Sequence, residues 1–448
     1  MNRFRACLMG TAVMLATPVL AQAPQDDAGP QDLLPAPSAQ PVTATPAVPV
    51  VQPVPSWPLT RQWRAGDARI LADAIEKIGA EGLSPADYGL AELRAALAAG
   101  EGPQLDEIAS RSFAWLVEDL RDGRTPMDAR RQWFASDTDA EAMPTGKLLE
   151  QAVTGHDVAG LLASLAPTHP EYARLKAELA ATPANNTQRR ALVRANMDRW
   201  RWLPRDLGKQ YLLVNVPEMM LRLMVNNTVV RSYRTIVGKP GRTATPQFAE
   251  TVEGVIFNPT WTVPQSIVVG EGLGPRLLAN PAAARAKGYK AWRDSESGQI
   301  SVVQQPGPNN ALGLIKLDMP NPHAIFLHDT PSKELFNTEV RAYSHGCIRT
   351  ERAMEMGMTV AILGKGASGE EAIAISKSGE YTRVPLREPM PVYITYFTMG
   401  TNVEGAMSTY SDIYDRDAPV LASLASARQM TRARTSEEEI VPLENGGI

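Results

Sequence analysis

Cys347 stands in the run Tyr343-Ser344-His345-Gly346-Cys347-Ile348-Arg349, and a further histidine, His328, lies upstream of it. A thiol of ordinary pKa, ~8.5, is mostly protonated at neutral pH, so a nucleophilic cysteine needs a neighbouring base to form its thiolate. His328 and His345 are the candidate bases. The only other cysteine, Cys7, falls in an N-terminal stretch with the marks of an export signal. Once that stretch is removed, one thiol remains. It can form no internal disulfide and cannot build a four-cysteine or CxxC zinc site. A lone thiol beside histidine reads as a nucleophile awaiting a base, and no metal and no cofactor is expected.

The N-terminal stretch sets the expected compartment. Asn2-Arg3-Phe4-Arg5 is a short basic head, residues 6–20 are apolar apart from Thr11 and Thr17, and Val19-Leu20-Ala21 offers small residues at a cleavage site. Cleavage is expected after Ala21, with Ala23 as the second choice. The apolar run is shorter than the ~20 residues needed to cross a bilayer, so a protein without a membrane span is expected after processing. In an oxidising exterior an unpaired cysteine is a liability that needs a justification. The 448 residues are 44% hydrophobic and 21% charged with net charge -4, which argues for more than one globular domain and against nucleic acid as a partner.

The elements that must position the thiol read as follows. Residues 22–58 are Pro-, Ala- and Val-rich with almost no aromatics and are expected to be a disordered linker. Residues 59–184 are expected to form an all-α domain: Ile70, Leu71, Ala74, Ile75 and Ile78 recur at three and four, and Gly79 and Gly82 stop the run. Ser84 before Pro85 reads as a helix cap. His156 and His169 stand alone and read as structural. A connecting helix is expected in 185–208, carrying Trp200 and Trp202 and ending near Pro204. From residue 209 the period changes to that of strands: Tyr211-Leu212-Leu213-Val214, then Met220 to Val225, an Asn226-Asn227 turn, and a third strand after it. Ala324-Ile325-Phe326-Leu327 reads as a buried strand that delivers His328, and His323, in the loop before it, is expected in solvent. The long stretch 262–323 is expected to hold a lid. The expected organisation is a mostly β domain over 209–368, an extension with a β-hairpin over 369–428, and a disordered tail over 429–448. The fold class is multidomain α+β.

At His328-Asp329-Thr330-Pro331 followed by Ser344-His345-Gly346-Cys347, the chain resembles the L,D-transpeptidases with a YkuD-type catalytic domain. It is also similar to the larger, YcbB-like Gram-negative branch of that family. The blocks that carry this are Gln305-Pro306-Gly307-Pro308-Asn309-Asn310-Ala311-Leu312-Gly313, Arg341 upstream of Ser344-His345-Gly346-Cys347, Ala195-Asn196-Met197-Asp198-Arg199-Trp200-Arg201-Trp202-Leu203-Pro204, and the helical scaffold around Ser84 to Tyr88. Two departures stand out. Arg349 occupies the position of the common family's Asn, as it does in the YcbB-like branch. The short polar stretch 181–190 takes the place where that branch carries a peptidoglycan-binding module.

The resemblance implies an N-terminal scaffold domain followed by the catalytic domain of a periplasmic cysteine acyltransferase. Cys347 would attack the L-centre carbonyl of a peptidoglycan tetrapeptide stem, expel D-Ala and hold the stem as a thioester. An amine of another stem would resolve it, giving a 3-3 cross-link. Within that resemblance His328 is the general base, oriented by Asp329 through its backbone carbonyl or its carboxylate. The backbone of Gly346 lines the oxyanion hole, with His345 in the same loop. Arg341, Tyr343, Ser344, Arg349 and Asn310 are candidate substrate contacts, and cell-wall synthesis proteins are candidate partners. Water or a protein lysine as acceptor would instead make an L,D-carboxypeptidase or a protein-to-murein ligase, and loss of activity would leave a wall-binding scaffold. The resemblance further implies reaction with carbapenems.

Overall fold

Apolar residues repeating at three and four build the first half of the chain into helices. The computed structural model describes residues 60–135, 139–430 and 436–440. The expected signal, the linker and most of the tail lie outside those residues. The helices are α1 (Ala65–Lys77), α2 (Leu90–Ala99), α3 (Pro103–Asp122), α4 (Asp139–Ala142), α5 (Thr145–Gly155), α6 (Val158–Ala163), α7 (Pro170–Ala181) and α8 (Thr187–Trp200). Leu71 and Ile75 of α1, Leu93 of α2, Phe113 and Leu116 of α3 and Leu149 of α5 close one apolar core. Gly82, at φ 74°, ends the short helical turn that follows α1. Ser84 differs from expectation: its side chain makes no cap, and the turn begins on Pro85 with the Asp87 amide donating to the Ser84 carbonyl.

The expected connecting helix, α8, proves to be an axis shared by two layers. Its C-terminal half is buried because helices cover one side and strands the other. Trp200 stacks on His169 with ring centroids 4.3 Å apart and on Phe397 at 4.7 Å. Asp198 is the polar centre of this seam. It accepts the amides of Arg124 and Thr125 at 2.6 and 3.0 Å and the indole of Trp202 at 3.2 Å, and it pairs with Arg201 at 3.3 Å. A buried carboxylate is tolerated only when such partners replace its water. His169, which the sequence left as structural, is a satisfied buried residue whose Nε2 meets the Tyr211 hydroxyl at 3.0 Å.

The period-two stretch becomes β1 (Gln210–Asn215), β2 (Met220–Val225) and β3 (Thr228–Gly238). Asn226 and Asn227 make the turn at φ 49° and 57°, the left-handed conformation that asparagine tolerates and a two-residue hairpin requires. β4 (Phe248–Phe257) leads to an inserted module of β5 (Trp261–Thr262), α9 (Gln265–Gly270), α10 (Leu273–Ala279), α11 (Pro281–Ala286), β6 (Tyr289–Arg293) and β7 (Ile300–Gln304). The chain returns through β8 (Ile315–Asp318), β9 (Leu327–His328), β10 (Ala342–Ser344) and β11 (Ile348–Thr350). It then runs through α12 (Ala353–Leu363), α13 (Gly369–Ser378), β12 (Thr382–Thr395), the hairpin β13 (Met399–Thr401) with β14 (Met407–Thr409), and α14 (Asp417–Ala425). The nine-stranded sheet runs β10-β3-β11-β9-β8-β4-β12-β1-β2, and β2 also pairs with β3, so the sheet curls back on itself with β10 beside β3. One sheet face buries Val255, Leu317, Leu327 and Ile348 together with Met356 and Val360 of α12.

One expectation is corrected by this topology. The boundary at 368/369 does not hold, because β12 lies inside the main sheet between β4 and β1, in register with both. Only the β13–β14 hairpin and α14 lie beyond it. Within the stretch expected to hold a lid, β5, β6 and β7 form their own sheet around Val263, Val268, Leu277 and Val302. β8, at the end of that stretch, is a main-sheet strand. No helix among the described residues is long and apolar enough to cross a membrane. Replacing Asp198 by alanine removes an acceptor from two amides, an indole and a buried guanidinium. We expect Asp198→Ala to lower unfolding stability by about 3 kcal/mol or more, read by chemical denaturation.

Candidate active site

The site is assembled by three short strands. β9 pairs with β11 in parallel, with Leu327 opposite Ile348 and His328 opposite Arg349. β8 pairs with β9 antiparallel, with Lys316 opposite His328. Residues paired across a sheet share a face, and alternation along a strand returns every second residue to it. Lys316, His328 and Arg349 therefore stand abreast on one face. Cys347, two residues before Arg349, belongs to the same face. Ile315, Leu327 and Ile348 point the other way, into the core. The Ile348 amide donates to the Phe326 carbonyl at 2.9 Å and the Asp329 amide to the Ile315 carbonyl at 2.9 Å, which fixes the register on both sides of His328.

His328 is buried, and its Nδ1 lies 2.5 Å from the Asp329 carbonyl oxygen. A carbonyl only accepts, so Nδ1 carries the proton and Nε2 is left basic. The choice between the Asp329 carbonyl and its carboxylate is thereby decided. The carboxylate accepts the Leu314 amide at 3.0 Å and pairs with Lys333. Gly313, at φ 63°, makes room for it, since a Cβ there would lie 2.3 Å from Asp329 Oδ2.

Cys347 is partly exposed, and its Sγ reaches the Ala324 carbonyl at 3.7 Å. The preceding loop is held from within and from far along the chain. Ser344 Oγ donates to the Cys347 carbonyl at 2.6 Å and accepts the Gly346 amide at 3.1 Å. Thr245 Oγ1 donates to the Gly346 carbonyl at 2.8 Å and itself accepts the Gly238 amide at 2.9 Å, while Tyr414 donates to the Gly238 carbonyl at 2.6 Å. Gly346 sits at φ 119°, a conformation that a residue with a Cβ rarely adopts. His345 is half-exposed, with Nε2 4.0 Å from Glu271 of the inserted module.

Several residues expected at the substrate are placed elsewhere or otherwise engaged. Arg341 is buried, and its guanidinium donates to the carbonyls of Thr235 and Met219, each at 3.0 Å, and of Thr338 at 3.1 Å, so it braces the backbone behind the loop. Asn310 is buried too. Its amide nitrogen donates to the carbonyls of Pro259 at 3.0 Å and Gln305 at 2.9 Å, and its oxygen accepts the Leu312 amide. Both side chains are committed because a buried polar group must find its partners inside the protein. Ser344 shapes the loop. The Gly346 amide is taken by Ser344 and does not stand open as an oxyanion donor. His323 is buried, not solvated, and packs between Phe134 and Phe248 with centroids 4.6 and 4.8 Å away. Tyr343 and Arg349 remain near the thiol, with Tyr343 exposed.

Lys316, Thr245 and Tyr414 escaped the motif. Lys316 carried a signal: Ile315-Lys316-Leu317-Asp318 alternates, and the strand reading would have set Lys316 opposite the buried face. Thr245 and Tyr414 had none, because their contacts span 101 and 176 residues of sequence.

Electrostatics keep the resting pair neutral. Burial, then the Arg349 charge, lowers the His328 pKa to about 3, against the opposing pull of the Asp329 carbonyl. Burial pushes the Cys347 thiol up, opposed by the Phe326 amide and by Lys316 and Arg349. Below its pKa, thiolate falls tenfold per pH unit, and an imidazole that stays neutral down to about pH 3 offers no imidazolium partner to sustain it. The rate of Cys347 alkylation by iodoacetamide should therefore rise as one ionisation above neutrality. No plateau is expected between about pH 4 and 6, as a thiolate–imidazolium pair would give.

Residues 209–359 match the family model of the YkuD L,D-transpeptidase catalytic domain, and residues 55–179 match that of the Scaffold domain. A Haemophilus influenzae protein provisionally named an L,D-transpeptidase is 28% identical over 251 residues. That match takes in 53% of this chain and 50% of the other, so the chain spans about half the length of this relative. Among solved structures, an L,D-transpeptidase from Mycobacterium smegmatis is 14% identical over 42% of this chain and 58% of its own, with a TM-score of 0.21. A mutant Enterococcus faecium L,D-transpeptidase is 14% identical over 43% and 52%, also at a TM-score of 0.21. The chain carries a helical region matching the Scaffold domain, followed by a mostly β domain matching the YkuD L,D-transpeptidase catalytic domain.

Proposed function

We propose that this protein is a peptidoglycan L,D-transpeptidase, a cysteine acyltransferase of the YcbB-like branch that works in the periplasm. The observation that carries the reading is the common face of Cys347 and His328, with Nδ1 held by a backbone carbonyl, inside the stretch that matches the YkuD catalytic domain. In the first step the thiol proton passes toward Nε2 of His328 as Sγ bonds the carbonyl carbon at the L-centre of a tetrapeptide stem. The amide C–N bond then breaks, and D-Ala leaves with that proton. In the second step an amine of another stem attacks the thioester, the C–S bond breaks, and the thiol is restored. Two acyl transfers replace one hard amide exchange.

The tetrahedral oxyanion needs donors aimed at it, each worth on the order of 3 kcal/mol. With the Gly346 amide taken by Ser344 Oγ, the amides of His345 and Cys347 are the donors in this reading. Tyr343 and Arg349 are the remaining candidates to meet the stem near the thiol. The helical region, fused to the sheet through α8, and cell-wall synthesis partners would supply the wall contacts that a separate peptidoglycan-binding module gives elsewhere.

Mature protein incubated with disaccharide-tetrapeptide should yield a dimer that has lost one D-Ala, detected by mass spectrometry, and Cys347→Ala should yield none. Tripeptide alone would make water the acceptor and the protein an L,D-carboxypeptidase. Transfer to a protein lysine would make it a murein ligase. No product from folded protein with a reactive thiol would sink the enzymatic reading. A carbapenem should leave one covalent adduct on wild-type protein by intact mass and none on Cys347→Ala.

A further inference from the structure

An imidazole whose proton affinity is as low as that of His328 is a poor counter-charge for a thiolate. The sheet supplies others. Lys316 from β8 and Arg349 from β11 flank His328 in register on the face that carries Cys347. Carrying the β9–β11 register back one residue sets Phe326 opposite Cys347. The Lys316 ammonium lies 3.4 Å from the centroid of the Phe326 ring, so the aromatic face holds the cation beside the strand position that opposes the thiol. Among the described residues neither Lys316 nor Arg349 enters an ion pair. The carboxylates on their own strands are occupied. Asp318, next along this face of β8, is held by Arg383 at 2.5 Å, and Asp329, after β9, is held by Lys333.

We propose that Lys316, acting with Arg349, is the counter-charge of the Cys347 thiolate, so that two fixed cations stabilise the nucleophile and His328 serves only to carry the proton. This rests on Cys347 being the nucleophile. When the S–H bond breaks, the electron pair stays on sulfur between the two cations, and the proton passes to Nε2 or, without substrate, to solvent. The titratable and charged groups that face the thiol are Lys316 from β8, His328 from β9 and Arg349 from β11. His345 stands in the preceding loop with Glu271 beside it. Fixed positive charge favours thiolate and disfavours imidazolium, which is the direction both groups take from these two residues.

The test is the pH dependence of iodoacetamide alkylation of the full mature chain, compared across wild type, Lys316→Met, Lys316→Arg and His328→Asn. Methionine keeps the contact with Phe326, and a matching melting temperature establishes that the variant is folded. Lys316→Met should move the midpoint up by about one pH unit and slow alkylation at neutral pH roughly tenfold. Lys316→Arg should restore the wild-type midpoint, and His328→Asn should leave it nearly in place. A midpoint that stays put in folded Lys316→Met, or that rises in His328→Asn instead, overturns the proposal. So does a rise in KM for tetrapeptide in Lys316→Met without a change in the titration, since Lys316 would then be a substrate carboxylate contact. Alkylation uses no peptidoglycan, so wild-type protein that alkylates as expected but turns over no stem would refute the proposed activity and leave this inference intact.

Discussion

Every chemical relation in the site descends from one short pairing, the parallel contact of Leu327–His328 with Ile348–Arg349. A shift of one residue would turn either His328 or Cys347 into the core, because side chains alternate across a sheet. Two paired residues are too few to hold a register unaided. The hold comes from outside: the Ile315 carbonyl fixes the backbone after His328, and the apolar side chains of Ile315, Leu327 and Ile348 dock in the core under α12. The core therefore sets the chemistry, since burying one face of β8, β9 and β11 forces the other face to carry Lys316, His328, Arg349 and Cys347.

Around this pairing, polar side chains serve the backbone more than they serve a ligand. Ser344, Asn310 and Arg341 are buried, and each is engaged by carbonyls or amides. Thr245 reaches the Gly346 loop from β4's approach, and Tyr414, in the segment before α14, holds Gly238 behind it. Such second contacts are what hold a nucleophile within the narrow geometry that acyl transfer demands. They also account for residues near the motif that have no hand free for a substrate. The scaffold region is tied to this apparatus through α8, where Asp198, Arg199 and Arg201 are buried between helices and sheet. Its helices and the sheet share one apolar seam, from Tyr172 through Trp200 to Tyr393 and Phe397.

Much of the fold is legible in the sequence. Period three-and-four residues marked the helices, period two marked β1 to β3, and Asn226-Asn227 marked the hairpin. The misreadings share a cause. The boundary at 368/369 and the solvated His323 rest on local sequence and the ligand-binding Asn310 and Arg341 on the resemblance, and neither source shows which partners the fold brings to these residues. β12 looked like part of an extension because nothing in its residues says that its neighbours are β4 and β1.

The sequence alone thus determined which groups can react, a thiol and two histidines, and the local conformations that hydrophobic period and turn residues dictate. Tertiary structure decided which histidine stands with the thiol, and which atom of Asp329 fixes its tautomer. It also decided that the charges beside the thiol are Lys316 and Arg349. The reason is physical: conformational preference acts over a few residues, whereas register, burial and electric field are set by whatever the folded core brings alongside.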